Sequence, residues 1–155
     1  MRRFIPLTAL IVVVGVIAAG MALAAADSPP IQQAETITAT LTFERFKYLD
    51  ERPLREESTG DRFLFRGSLK RSGTRVGFAV VQCTATLPKE VLQCVGMAKL
   101  GRGQIVAEGL VKERGRVHAF LAVTGGTGHF RNARGTLEVQ DISPNRTRFT
   151  FRLLP

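Results

Sequence analysis

Few residues in this 155-residue chain have the types and spacing that chemistry needs. Two cysteines, Cys83 and Cys94, two histidines, His118 and His129, one tyrosine, Tyr48, and the glycine-rich stretch Ala122–Gly135 stand out. The glycines Gly125, Gly126 and Gly128 invite comparison with phosphate-binding loops. A P-loop ends in Gly-Lys-Ser/Thr, and here Gly128 is followed by His129 and Phe130. A dinucleotide fingerprint needs a glycine where Arg131 stands and a helix after it. The stretch is therefore read as a structural turn that demands positive φ and passes a crowded point where side chains do not fit. No metal site is expected, because there is no second cysteine pair and no His-x-x-x-His spacing. Without a Gly-x-Ser-x-Gly elbow, serine hydrolysis has no support. His118, mid-strand among apolar residues, reads as a packed histidine, and His129 as a solvent-exposed residue of a turn.

The elements that must position these residues are strands. Thr36–Thr42 alternates threonine with Ile37, Ala39 and Leu41. After a charged loop, Leu49–Asp61, come Arg62–Lys70, Val76–Thr86, Val91–Leu100, Gln104–Lys112, Val117–Thr124, Gly135–Gln140 and Arg146–Leu154. Short Gly-, Pro- and Asn-containing turns separate them. Eight short strands without a helical stripe predict an all-β meander. Closure into an eight-stranded antiparallel up-and-down barrel hides every edge, and a two-sheet sandwich is the alternative. If Val76–Thr86 and Val91–Leu100 form a hairpin turning at Pro88-Lys89, Cys83 and Cys94 face each other, close enough for a structural disulfide. Several strands are apolar on both faces, so an outer apolar patch suited to oligomer contacts is expected.

The N-terminus has a different composition. Arg2 and Arg3 precede an uncharged run, Phe4–Ala26, that ends in small residues. This is the pattern of a signal peptide over residues 1–26, cleaved after Ala26; retention as an uncleaved anchor is the alternative. Residues 27–35, with Pro29-Pro30, read as a flexible lead-in to a β-barrel domain at 36–155. The chain is thus expected to be secreted, to the exterior or the cell envelope, with no membrane span after cleavage. Its net charge of +9 falls to +7 when the two N-terminal arginines leave. The basic residues are scattered among acids and no nucleic-acid-binding signature accompanies them, so nucleic acid is not an expected partner.

Ile105-Val106-Ala107-Glu108-Gly109 followed by Ala122–Phe130 resembles the signature of the allene oxide cyclase and dirigent-protein barrel superfamily. Gly60-Asp61-Arg62-Phe63 and the Cys83…Cys94 hairpin resemble its secreted bacterial members. The similarity covers about residues 36–155. It implies an eight-stranded barrel, frequently a homotrimer, that binds an apolar small molecule in its lumen and uses no metal or organic cofactor. Plant cyclases of this kind close a ring in an oxylipin precursor, dirigent proteins steer phenoxy-radical coupling, and bacterial relatives cyclise polyketides.

The same resemblance assigns roles on the first strand. Glu44 falls on the glutamate of the plant cyclases, which steadies developing positive charge or a positioned water; Phe46 stands where they have asparagine, and suits an aromatic pocket wall. Thr40, Thr42, Glu44, Phe46 and Tyr48 share one face of an extended strand, whereas Ile37, Ala39, Leu41 and Phe43 share the other. The resemblance turns the first set inward, with Glu44 and Tyr48 as catalytic candidates and Thr40, Thr42 and Phe46 as ligand contacts. Simple burial of apolar side chains turns the second set inward. Three functions remain open: steering of cyclisation or coupling, a lipocalin-like carrier or envelope-associated binding protein without chemistry, and action through a basic surface.

Overall fold

A computed structural model describes residues 33–51, 58–112 and 115–155. The expected signal peptide and most of the lead-in lie outside these residues. Eight strands, β1 (Glu35–Leu49), β2 (Arg62–Arg71), β3 (Thr74–Leu87), β4 (Val91–Leu100), β5 (Gly103–Lys112), β6 (His118–Gly128), β7 (Gly135–Ser143) and β8 (Arg146–Leu153), follow one another around a closed barrel. Every pairing is antiparallel, and β8 returns to β1 through pairs such as Ile37 with Phe151. The expected up-and-down barrel is therefore the fold. Among the described residues no helix is long and apolar enough to cross a membrane.

Side chains alternate between interior and exterior along each strand. The interior is filled at one end and hollow at the other. At the end where β1 begins and β8 finishes, Ile37, Leu69, Leu100, Ile105, Phe130 and Leu153 are all buried. Phe130 is the largest of them, and it comes from the β6–β7 connection rather than from a strand. Near it, Glu35 receives hydrogen bonds from Arg102 and His129, joining the start of β1 to the β4–β5 and β6–β7 connections. Burial raises the Glu35 pKa, but the bonds from His129 and Arg102 outweigh it and the net shift is downward. His129 is thus a half-buried partner of Glu35, not the exposed turn residue expected. His118 also departs from expectation: its side chain is 54% exposed and meets Glu138 on the outer wall.

The glycines prove to be the end of β6, not the turn itself, which follows at residues 129–134. Gly128 has φ +61°, as expected. Gly126 is needed for space, because a Cβ there would lie 2.4 Å from the carbonyl oxygens of both Gln104 and Phe130. Nothing in the structure explains Gly125, whose Cβ would meet no atom within 4 Å.

The Cys83–Cys94 disulfide is present, between residues directly paired across β3 and β4 with Cα atoms 4.0 Å apart. A bridge closing so short a loop is worth about 2–3 kcal/mol. Both cysteines are buried and face the hollow end.

The glycines give a graded test. Gly126→Ala should lower stability by more than about 2 kcal/mol, since two fixed backbone oxygens must retreat. Gly125→Ala should stay within about 0.5 kcal/mol of the parent. Urea unfolding monitored by far-UV circular dichroism checks both, and equal effects would refute the assignment of crowding to Gly126.

Candidate functional site

The hollow end encloses a cavity of about 380 Å³. Its walls differ in kind. Three adjacent strands, β8, β1 and β2, contribute six phenylalanines: Phe149, Phe151, Phe43, Phe46, Phe63 and Phe65. Their rings are in contact, with centroids 5.6 Å apart for Phe43–Phe65 and 5.1 Å for Phe46–Phe65, the range in which aromatic pairs attract. The facing wall, from β3 to β7, is small and aliphatic, with Ala79, Val81, Ala98, Leu121 and Val139 around the disulfide. An aromatic wall opposite a smooth one forms a slot. It reaches the barrel end at which Phe46 stands 60% exposed, where Phe63, Val117, Asp141 and Thr147 also line it.

A β-bulge decides which residues of β1 reach this slot. Up to Phe43, the apolar set Ile37, Ala39, Leu41 and Phe43 faces inward, as burial alone predicts. The register to β2 then skips Glu44, pairing Phe43 with Gly67 and Arg45 with Arg66. One inserted residue reverses the facing of all that follow. Phe46 therefore joins Phe43 in the cavity wall: the apolar set Ile37, Ala39, Leu41 and Phe43 faces inward as burial predicts, and of the other set only the residues beyond the bulge change to that face.

The five candidates of β1 are consequently separated. Phe46 lines the cavity. Thr40 and Thr42 lie before the bulge and point outward; Thr40 borders a shallow outer groove with Lys70 and Arg71. Glu44, at the bulge, lies outside the cavity lining, with its carboxylate 3.5 Å from the Arg66 guanidinium and partly in solvent. Tyr48 lies beyond the cavity, its ring 5.1 Å from that of Phe63 and its hydroxyl donating to Asp61 at 2.6 Å.

Asp61 itself is fully buried. Its carboxylate accepts from Tyr48 Oη, from the backbone N–H of Glu51 and Ser58, and from Ser58 Oγ. These bonds, led by that of Tyr48, pull its pKa from 3.8 to about 2 despite the opposing effect of burial. The backbone of the same residue pairs with Ala85 of β3. The sequence signal for this anchor was the Gly60-Asp61 step before a strand, which marked a turn but not a buried charge.

Sequence reasoning missed the one carboxylate among the described residues that does reach the cavity. Asp141, near the end of β7, accepts hydrogen bonds from Val117 N–H at 3.0 Å and Thr147 Oγ1 at 2.8 Å. Lys112 borders the rim from the end of β5, but it is exposed and follows the inward Val111 on the outward register. Among the described residues no group of three or more His, Cys, Asp or Glu side chains gathers as a metal site.

No family model matches the chain, and no curated protein matches it by sequence. Solved structures do match. A pyocyanin demethylase is 26% identical, with a TM-score of 0.66 over 77% of this chain and 99% of its own. AbnU, an exo-specific intermolecular Diels-Alderase, is 15% identical, with a TM-score of 0.64 over 78% of this chain and 98% of its own. The pterocarpan synthase dirigent protein PsPTS1 is 16% identical, with a TM-score of 0.62 over 79% and 94%. The barrel is thus of the allene oxide cyclase/dirigent type in fold, as the sequence motifs indicated.

The Asp61 anchor fixes a pH dependence. A carboxylate with a lowered folded-state pKa stabilises the fold above its unfolded value, and that contribution is lost as pH falls through the folded one. Thermal unfolding between pH 5 and pH 2 should show a falling acid limb, from about pH 4 toward about pH 2, that is flattened in Asp61→Asn. An unchanged limb in the variant would remove Asp61 as its source.

Proposed function

We propose that this chain takes an apolar, aromatic small molecule into the open end of its barrel and steers that molecule's cyclisation or coupling by confinement, without a cofactor. The supporting observation is the phenylalanine-walled cavity of about 380 Å³, within the ~300–1,000 Å³ range of small-molecule sites. Confinement suits what lines it. A slot that holds reacting atoms in one relative orientation removes the entropic part of a barrier and needs few polar groups. The fold neighbours named as a Diels-Alderase and a dirigent protein are consistent with shape-governed ring formation and coupling. Glu44, at the bulge beside Arg66, and Tyr48, engaged with Asp61, act in this proposal from outside the lining, by setting the strand geometry that presents Phe46.

A carrier without chemistry is the second reading. It is favoured by the small number of polar side chains in the lining, where Asp141 is the only carboxylate among the described residues.

Export and assembly belong to the same proposal. The N-terminal run supports secretion with a mature end at Asp27. Outward-facing Met97, Leu110 and Phe120, each at least half exposed on the neighbouring strands β4, β5 and β6, support burial against further copies of this chain, in a homotrimer.

Native mass spectrometry of protein purified from its source reads all three features. Expected are a chain beginning at Asp27, a threefold mass, and an aromatic molecule released on denaturation. Conversion of that molecule on renewed incubation supports steering, whereas recovery unchanged supports the carrier. In parallel, the neutral dye N-phenyl-1-naphthylamine should bind once per barrel. Gly96→Leu, which projects a side chain from β4 into the cavity, should weaken it at least tenfold. Equal binding by both forms would refute a ligand chamber in the lumen.

A further inference from the structure

Among the described residues the apolar cavity has two charged residues at its edge, Asp141 and the exposed Lys112, and Asp141 is bonded to no countercharge. Asp141 Oδ1 accepts from the Thr147 hydroxyl and Oδ2 from the Val117 amide; both donors are neutral. Asp141 forms no ion pair with any described residue. A carboxylate offers about four acceptor positions, so these two bonds leave about half of them free. They also fix the group in one orientation at the end of β7, the strand next to the aromatic wall strand β8, with Asp141 paired to Thr147 and Val139 to Phe149.

We propose that Asp141 makes the lumen selective for planar aromatic cations, whose positive end it holds at the entrance while the rings lie along the phenylalanine wall. The inference rests on the reading of the lumen as a ligand chamber and adds a charge requirement to it.

Three features favour a cation over a neutral or anionic ligand. Neutral donors orient a carboxylate but leave its charge in place, and a charge beside an apolar cavity acts with less screening than one in water. The faces of Phe149, Phe63 and Phe65 carry negative quadrupole potential, which attracts a cation and repels an anion. Asp141 lies in the same cavity lining as the phenylalanines, so a positive end held there leaves the rest of a ring cation against that wall. A delocalised ring cation satisfies all three at once, because its charge is weakly hydrated and little is lost on leaving water. Lys112, the other charged residue at the rim, is exposed and solvated, so screening limits its opposition.

A charge series of matched probes tests this: N-methylquinolinium, its neutral counterpart 1-methylnaphthalene, and the anion 1-naphthoate. Titrations are followed by displacement of N-phenyl-1-naphthylamine from the full-length barrel. The wild-type protein should bind the cation at least tenfold more tightly than the neutral probe, and the neutral probe more tightly than the anion. In Asp141→Asn the cation's advantage should fall below about threefold while the affinity of the neutral probe is kept. A purely structural role for Asp141 would weaken all three probes together and leave their ratios intact, which overturns the proposal. So does an absence of cation preference in the wild type, an outcome that needs no variant to fold. If none of the probes displaces the dye, or if Gly96→Leu binds them all unchanged, it is the ligand-chamber reading that fails.

Discussion

A strand has only two faces, and a closed barrel assigns one of them to a shared interior. Everything that distinguishes this molecule follows from where that assignment is kept and where it is broken. Kept without interruption, the alternation of β1 would bury Phe43 and expose Phe46. Broken once, at Glu44, it brings both rings to the same cavity, where Phe65 meets each of them. The aromatic wall is therefore a product of one extra residue in one ladder, set beside the ordinary alternation of β2 and β8.

The same constraint divides the interior. Eight strands leave a bore that side chains can fill, and at one end Phe130 does so together with Leu69, Ile105 and Leu153. The β6–β7 connection can deliver Phe130 because Gly126 leaves room for backbone oxygens to approach within reach of its missing side chain. At the other end the inward residues of β3 and β4, Leu92 apart, are small, and the Cys83–Cys94 bridge takes little volume. Filling and hollowing are thus encoded by residue size on successive inward positions, with glycine corners serving the filled end and alanines the empty one.

Most of the architecture was legible in the sequence because it rests on local signals. Period-two alternation, turn residues and a cysteine pair flanking Pro88-Lys89 gave eight strands, their order and the disulfide. The site was legible only in part. A bulge has no signature in its own residues: Thr42-Phe43-Glu44-Arg45 reads as uninterrupted strand, and only pairing to Gly67 and Arg66 reveals the skipped position. Asp61 and Asp141 were equally opaque. Each looks in sequence like a charge near a turn, and each acquires its role from donors brought from a distance, Tyr48 for one and Val117 for the other. His129 and Phe130 were read as part of a turn because nothing local announces that the chain will fold Phe130 into the core and His129 against Glu35.

With one end stoppered by Phe130 and its neighbours, the bore is a blind tunnel rather than a conduit. A guest of the kind proposed above would have to leave by the end through which it arrived, reversing its path. Long chains therefore have no way to thread the protein, and length beyond the tunnel's depth stays outside in water. On the proposed reading, a ring closed inside must also still fit that same end, so transformations that make the guest more compact are the ones this geometry would release freely.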